Sequence, residues 1–227
     1  MTLLARLLHL EPQLFEPGDR MGREEFISRW ERMPELKFAE LIDGVVYAPS
    51  PVSIPHCQRD GVLATWAGVY AARAGFVQVL PNTTWFMEEE SAPQPDVALR
   101  IKPEFGGQSG YVEQFAAGAP EFAAEICGSS RSYDLGPKLE LYERAGVGEY
   151  LAVLLEERRL GWRVLREGTF QLMAPDEAGV SRSSVLPGLW LDEPAFWRDD
   201  IATVLARLEE GLASEEFRAF QQAHTTR

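Results

Sequence analysis

An acid placed directly after a proline, a second acid inside an apolar strand and a lysine on the helix that follows are the residues of this chain most suited to chemistry. Asp96 follows Pro95 and opens DVALRI, a run that reads as a strand. Glu125 stands near the end of EFAAEIC, about thirty positions on, and Lys138 comes thirteen positions after it. Asp134 sits just before the helix that carries the lysine. If the Asp96 and Glu125 strands are neighbours, two carboxylates meet at one sheet edge. Convergent oxygen anions without thiolates suit a hard cation, Mg²⁺ or Mn²⁺. A lysine at the mouth of such a site can orient a water or stabilise charge developing on a phosphorane. That combination suits metal-assisted hydrolysis of a phosphodiester.

Each residue also has an ordinary reading. Asp96 could be a turn residue after proline, and Lys138 a surface lysine on a helix. Asp134 could be an acid favoured by the positive end of a helix. Glu125 fits such a reading least, because an unpaired carboxylate in an apolar strand is costly to bury. It is the main support for a metal site. Cys127 reads as a small buried hydrophobe, and Trp66 and Trp85 as core.

The elements that must position these residues follow from patterning. The 227 residues are 45% hydrophobic and 25% charged, enough for a full core without disulfides or a structural metal. The two cysteines, Cys57 and Cys127, match no zinc spacing. No long charge-free stretch suggests a membrane span. The N-terminal run has no basic leader and no small-residue cleavage site, so a secretory signal is not expected and a cytoplasmic setting is. The net charge of −13 argues against holding nucleic acid by bulk electrostatics. Phosphate contacts would need a bound cation or a local patch, for which Arg100, Arg131 and Arg144 are candidates.

Residues 1 to about 22 read as an arm, and 23–33 as a helix with Phe26, Trp30 and Met33 on one face. Asp43-Gly44 between two apolar runs predicts a hairpin. A helix follows the SPVSIP loop and stops at Gly75, with His56 near its start. FVQVL, TTWFM, DVALRI and EFAAEIC read as strands, and the Gly-rich 103–121 stretch as a long loop. A helix from near Gly136 then leads to the strand YLAVLL and a hairpin around Glu167-Gly168. SSVLPGLWL closes the sheet region, and one or two amphipathic helices form the tail. A helix between two apolar strands implies a parallel crossover, hence a mixed α/β sheet flanked by helices.

The stretches ELIDGVVYAPSPVSIPHCQ, QPDVAL, GAPEFAAEICGSSRSYDLGPKLELYERAGVGEY and LPGLWL keep one order over about residues 36–192. Together they resemble the Uma-type family of the restriction endonuclease-like, PD-(D/E)XK superfamily. The resemblance implies an α-β-β-β-α-β core, here with added hairpins and a C-terminal helical tail. It divides the chain into an N-terminal arm and helix (1–35), the endonuclease-like domain (36–192) and the tail (193–227). It makes Pro95-Asp96 the PD half-motif and Glu125 the second acid, so that Asp96 and Glu125 hold the metal. The lysine expected two positions after the glutamate is displaced: that position is Cys127, and Lys138 reaches the site from the helix. Glu40 matches the family's first acidic position, and His56 the histidine after the Ser-Pro loop. Gly128-Ser129 stands where the family usually has Ser-Pro, a departure that bears on the loop more than on the acids.

The function expected is therefore a metal-dependent endonuclease, using Mg²⁺ or Mn²⁺ and acting on DNA rather than RNA. Asp96, Glu125, Lys138, Glu40 and His56 are its candidate catalytic residues, Glu40 holding a second ion or the first through water. A homodimer would suit cutting of both strands. The alternative is a binding or regulatory module that keeps the fold without turnover. The net charge favours that alternative, and the retained acids and lysine favour the enzyme.

Overall fold

The computed structural model describes residues 14–48 and 51–225. Most of the expected N-terminal arm, and two residues of the Ser-Pro loop, lie outside the described residues.

The first elements form a small unit of their own. Helix α1 (Arg23–Trp30) has Glu24 and Glu25 in its first turn, where acids favour the helix dipole, and it buries Phe26. Strands β1 (Glu40–Ile42) and β2 (Val45–Tyr47) pair antiparallel. Their turn is Asp43-Gly44, with φ of 49° and 74°, the left-handed pair that the sequence predicts. Phe15, Met21, Phe26, Leu41 and Val46 pack together as a minor core under this hairpin.

Helix α2 (Ile54–Ala74) is capped by Ser53, whose hydroxyl accepts from His56 N, and it ends at Gly75 with φ 80°. His56 thus lies inside the first turn and is not the cap. The main sheet follows: β3 (Val77–Pro81), β5 (Val97–Ile101), β8 (Phe122–Cys127), β9 (Glu149–Leu154), β10 (Arg159–Arg166) and β11 (Thr169–Leu172). Their spatial order is β11-β10-β9-β8-β5-β3. β8 pairs antiparallel with β5 and parallel with β9. The parallel pair needs a crossover, which α3 (Arg131–Asp134) and α4 (Pro137–Ala145) supply. Gly136 separates these two helices, and Pro137 opens the second, where its missing N–H costs nothing.

Alternation along β8 decides what each face carries. Phe122, Ala124 and Ile126 join the main core with Trp66 of α2. Ala123 and Cys127 join a second core with Leu141 and Tyr142 of α4. Glu125 falls on this second face by the two-residue period, toward the helix that carries Lys138.

Three segments differ from the sequence reading. TTWFM contributes only β4 (Trp85–Phe86), which pairs with β7 (Phe115–Ala117) outside the main sheet. The Gly-rich 103–121 stretch is no open loop: a short helical turn, Pro103–Phe105, leads to a hairpin of β6 (Gly110–Val112) and β7. The apolar runs on either side of its Glu113 turn make the pairing. SSVLPGLWL gives β12 (Val180–Arg182) and β13 (Trp190–Asp192), which pair with each other and not with the main sheet.

The tail forms α5 (Glu193–Trp197), α6 (Ile201–Leu212) and α7 (Glu215–Thr225), the first two capped by Asp192 and Asp200. Val204, Leu208, Leu212 and Phe217 enter the main core alongside Trp66 and Tyr70. Each fully buried large apolar side chain contributes roughly 1.5–3 kcal/mol, so these helices are part of the fold. Among the described residues no helix is long and apolar enough to cross a membrane.

Candidate active site

Asp96 immediately precedes β5, one position beyond the Val97↔Ala124 pair, which sets it beside Glu125 on β8. The backbone confirms the approach: Ile126 N donates to Asp96 Oδ2 at 2.7 Å. From the other side Lys138 reaches in from the first turn of α4, fully buried. Its Nζ lies 2.8 Å from Glu125 Oε1 and 2.8 Å from Glu40 Oε1, and 3.9 Å from Asp134 Oδ1. Glu40 is brought by the β1–β2 hairpin, and Gln94 N also donates to its Oε1 at 2.6 Å. His56, from the first turn of α2, points Nε2 at Asp96 Oδ2 across 3.6 Å. All five sequence-predicted residues therefore line one cavity of about 500 Å³.

Further residues belong to this arrangement and were not read as functional. Tyr142 donates its hydroxyl to Glu125 Oε1 at 2.7 Å. It stands four positions after Lys138, so one face of α4 grips Glu125 twice; the i, i+4 spacing was the available signal. Ser130 donates to Asp134 Oδ2 at 2.5 Å. Asp60, one turn after His56 on α2, also lines the cavity. Its carboxyl is raised by burial and by the nearby Asp96, against the pull of His56.

The electrostatics follow from one cation facing several acids. Burial alone would lower the Lys138 ammonium, but Glu125, Glu40 and Asp134 outweigh it and hold it well above its ordinary value. Lys138 therefore stays charged, and the shortfall of positive charge falls on the acids. Burial raises Glu125 well above the usual carboxylate range despite Lys138, with Asp96, Asp134 and Glu40 adding to the rise. Asp134 is pushed up to about 7 by burial, against Lys138 and the Ser130 hydroxyl.

Asp134 therefore takes up a proton on folding between about pH 4, its ordinary value, and about pH 7. Its contribution is complete below that window and is lost as pH rises through it. The urea midpoint of the wild type is expected to fall between pH 5 and pH 8, by about 1–2 kcal/mol in stability. Asp134→Asn should flatten that fall. A wild-type midpoint that does not drop across this range would contradict the assignment.

The three candidate rim arginines are each engaged by other groups and none lines the cavity. Arg100 is buried, donating to Gln78 Oε1 and Gly110 O beneath the Tyr111 ring. Arg131 pairs with Glu157, and Arg144 with Asp43 and Glu88. The apolar strand that holds Arg100, and the acids that outnumber bases on the surface, consume these side chains. Of the lysines and arginines, only Lys138 lines the cavity among the described residues.

The donor set fits a hard divalent cation. It is all oxygen, it carries more negative charge than Lys138 balances, and Asp96 Oδ1 and Glu125 Oε2 accept no hydrogen bond from the described residues. No group of three or more His, Cys, Asp and Glu side chains forms a ready-made metal cluster among those residues. Mg²⁺ keeps several waters and is held by one or two carboxylates, so Asp96 and Glu125 suffice as protein ligands.

The sheet is mixed, with acids at the adjoining ends of two strands and a lysine returning to them from the crossover helix. Residues 23–193 match the Uma2 family, described as "Putative restriction endonuclease", and the chain belongs to that family. A crystal structure described as "a putative nuclease belonging to DUF820", from Anabaena variabilis, has the same fold. It superposes with a TM-score of 0.60 at 12% identity, over 76% of this chain and 97% of that one. No curated protein matches the chain.

Proposed function

We propose that the chain is a divalent-metal-dependent endonuclease that hydrolyses phosphodiester bonds of DNA. The observation that carries this reading is the buried ammonium of Lys138, held at 2.8 Å by both Glu40 and Glu125 on the wall of the cavity that Asp96 lines. Asp96 and Glu125 would hold Mg²⁺ or Mn²⁺. A bound ion of this kind supplies positive charge against the scissile phosphate and lowers the pKa of the attacking water. Lys138, fixed as an ammonium, donates hydrogen bonds; it positions the water and faces the charge that develops on the phosphorane oxygens. Tyr142 and Ile126 N fix the two carboxylates, Glu40 fixes the lysine, and His56 stands beside Asp96 to contact the phosphate. The N-terminus of α2, with no acid in its first turn, opens on the same cavity and favours an anion there. The family and the acid–lysine centre support this activity. For a duplex target, two chains about a two-fold axis would address both strands.

The test is calorimetric titration of Mn²⁺ and Mg²⁺ into wild type and into an Asp96→Ala, Glu125→Ala double variant, with plasmid nicking on the same samples. Binding and nicking in the wild type, both lost in the variant, are expected. No metal binding by wild type at millimolar concentration would overturn the two-carboxylate site. Binding without cleavage of any nucleic acid would assign the chain to a silent binding module.

A further inference from the structure

The mouth of the cavity differs in chemistry from its floor. Phe38, two positions before Glu40, lines the cavity and is 47% exposed; Val52, four positions before His56, lines it and is 63% exposed. Tyr133 adds a second aromatic ring to the wall. Single exposed apolar residues are ordinary. Here they belong to the two segments that deliver Glu40 and His56, so apolar surface accompanies the acid centre at its opening.

Charge sharpens the point. A protein that grips duplex DNA does so largely through lysines and arginines on the phosphates. This chain carries −13, and its candidate rim arginines are engaged by Gln78, Glu157, Asp43 and Glu88. Beyond a bound cation and the N-terminus of α2, affinity for a strand then needs a source other than pairing of these arginines with phosphates. Stacking of bases on aromatic rings is such a source, since every base has a π-face and stacking needs no cation. It is available only to unpaired bases. A cavity of about 500 Å³ is within the range that encloses a small molecule, and it leaves room for one nucleotide rather than a duplex.

We propose that the cavity takes an unpaired nucleotide whose base stacks on Phe38 at the mouth, making single-stranded or locally unpaired DNA the substrate class. The proposal rests on the nuclease reading and narrows it.

The test is fluorescence anisotropy with a 5′-labelled single-stranded oligodeoxynucleotide and with the same strand annealed to its complement. Both are bound in Ca²⁺, and strand integrity is checked on a gel. Wild type is expected to bind the single strand at least about tenfold more tightly than the duplex. Phe38→Ala should weaken single-strand binding by about fivefold to about 150-fold, the range for loss of one stacked base. Phe38→Trp should keep wild-type affinity, which separates loss of the ring from loss of the fold. Equal or tighter binding of the duplex, no binding of either probe, or unchanged affinity in Phe38→Ala would overturn the proposal. Single-strand binding with no cutting in Mg²⁺ or Mn²⁺ would strike the nuclease reading alone. Cutting of duplex in preference to single strands would strike this proposal alone.

Discussion

Lys138→Met is expected to destabilise the fold by about 3–5 kcal/mol at neutral pH, the cost of leaving buried charges without their partner. Methionine keeps the length and most of the volume of the stem, so packing changes little. What disappears is the ammonium that faces Glu40, Glu125 and Asp134 at 2.8, 2.8 and 3.9 Å. The acids can respond only by taking up protons. Glu125 and Asp134 already stand above their ordinary values, and without Lys138 they rise further. A carboxyl raised in the folded state stabilises below its unfolded pKa and loses that contribution as pH rises. The deficit of the variant should therefore be small near pH 5 and largest near pH 8. In the wild type the raised Lys138 contributes at every pH below its unfolded value of about 10.4, so it does not obscure the comparison. Urea unfolding of both proteins at the two pH values measures it. Adding Glu125→Gln should restore part of the loss at pH 8. A deficit equal at both pH values would mean that Lys138 acts by packing alone. Metal-dependent cleavage, where present in the wild type, should be abolished in the single variant.

Glu149→Ala should cost about as much, roughly 3–5 kcal/mol, for a different reason. Glu149 is fully buried on β9, and its carboxylate serves as an acceptor hub. Oε2 accepts from Trp162 Nε1 at 3.0 Å. Oε1 accepts from Ser184 N at 2.7 Å, Ser184 Oγ at 3.0 Å and Val185 N at 3.1 Å. Alanine removes all of these at once and leaves an indole N–H and two backbone N–H groups buried, each costing about 1–3 kcal/mol. For a chain of this length that is a fall of about 10 °C in Tm, which a thermal melt resolves. Glu149 does not line the cavity, so divalent-metal affinity should be unchanged where the variant is folded. Lost metal affinity in a folded Glu149→Ala would show that the two regions are coupled.

These two residues mark the limit of what could be read from the amino-acid order. Glu125 in EFAAEIC and Glu149 in EYLAVL are both acids in apolar strands, and a rule that buried carboxylates do chemistry selects both. Only tertiary contact separates them. Glu125 faces a lysine and a tyrosine of the next helix, whereas Glu149 faces the backbone of a turn 35 positions on. Local chemistry was legible where it is local: the Asp43-Gly44 turn, the stop at Gly75 and the break before Pro137 are each set by one or two residues. The role of Tyr142 was hidden because its spacing from Leu135 and Leu139 also describes an apolar helix face. The β6–β7 hairpin was hidden by the glycines around it. The arginines could not be placed, since their side-chain hydrogen-bond acceptors Gln78, Glu157 and Asp43 lie 22, 26 and 101 positions away in the chain.

The separation of the site residues along the chain has a consequence for the cell that makes the protein. Glu40 arrives on an early hairpin, and Lys138 follows 98 positions later. Between them come the strands that hold Asp96 and Glu125, and β8 finds its parallel partner only when β9 has been synthesised. Such long-range pairings form late, after much of the chain is available. A ribosome-bound fragment ending before residue 138 contains Glu40, Asp96, Glu125 and Asp134 but not the lysine that three of them face. This order of assembly completes the acid–lysine cluster only once most of the scaffold around it has been made.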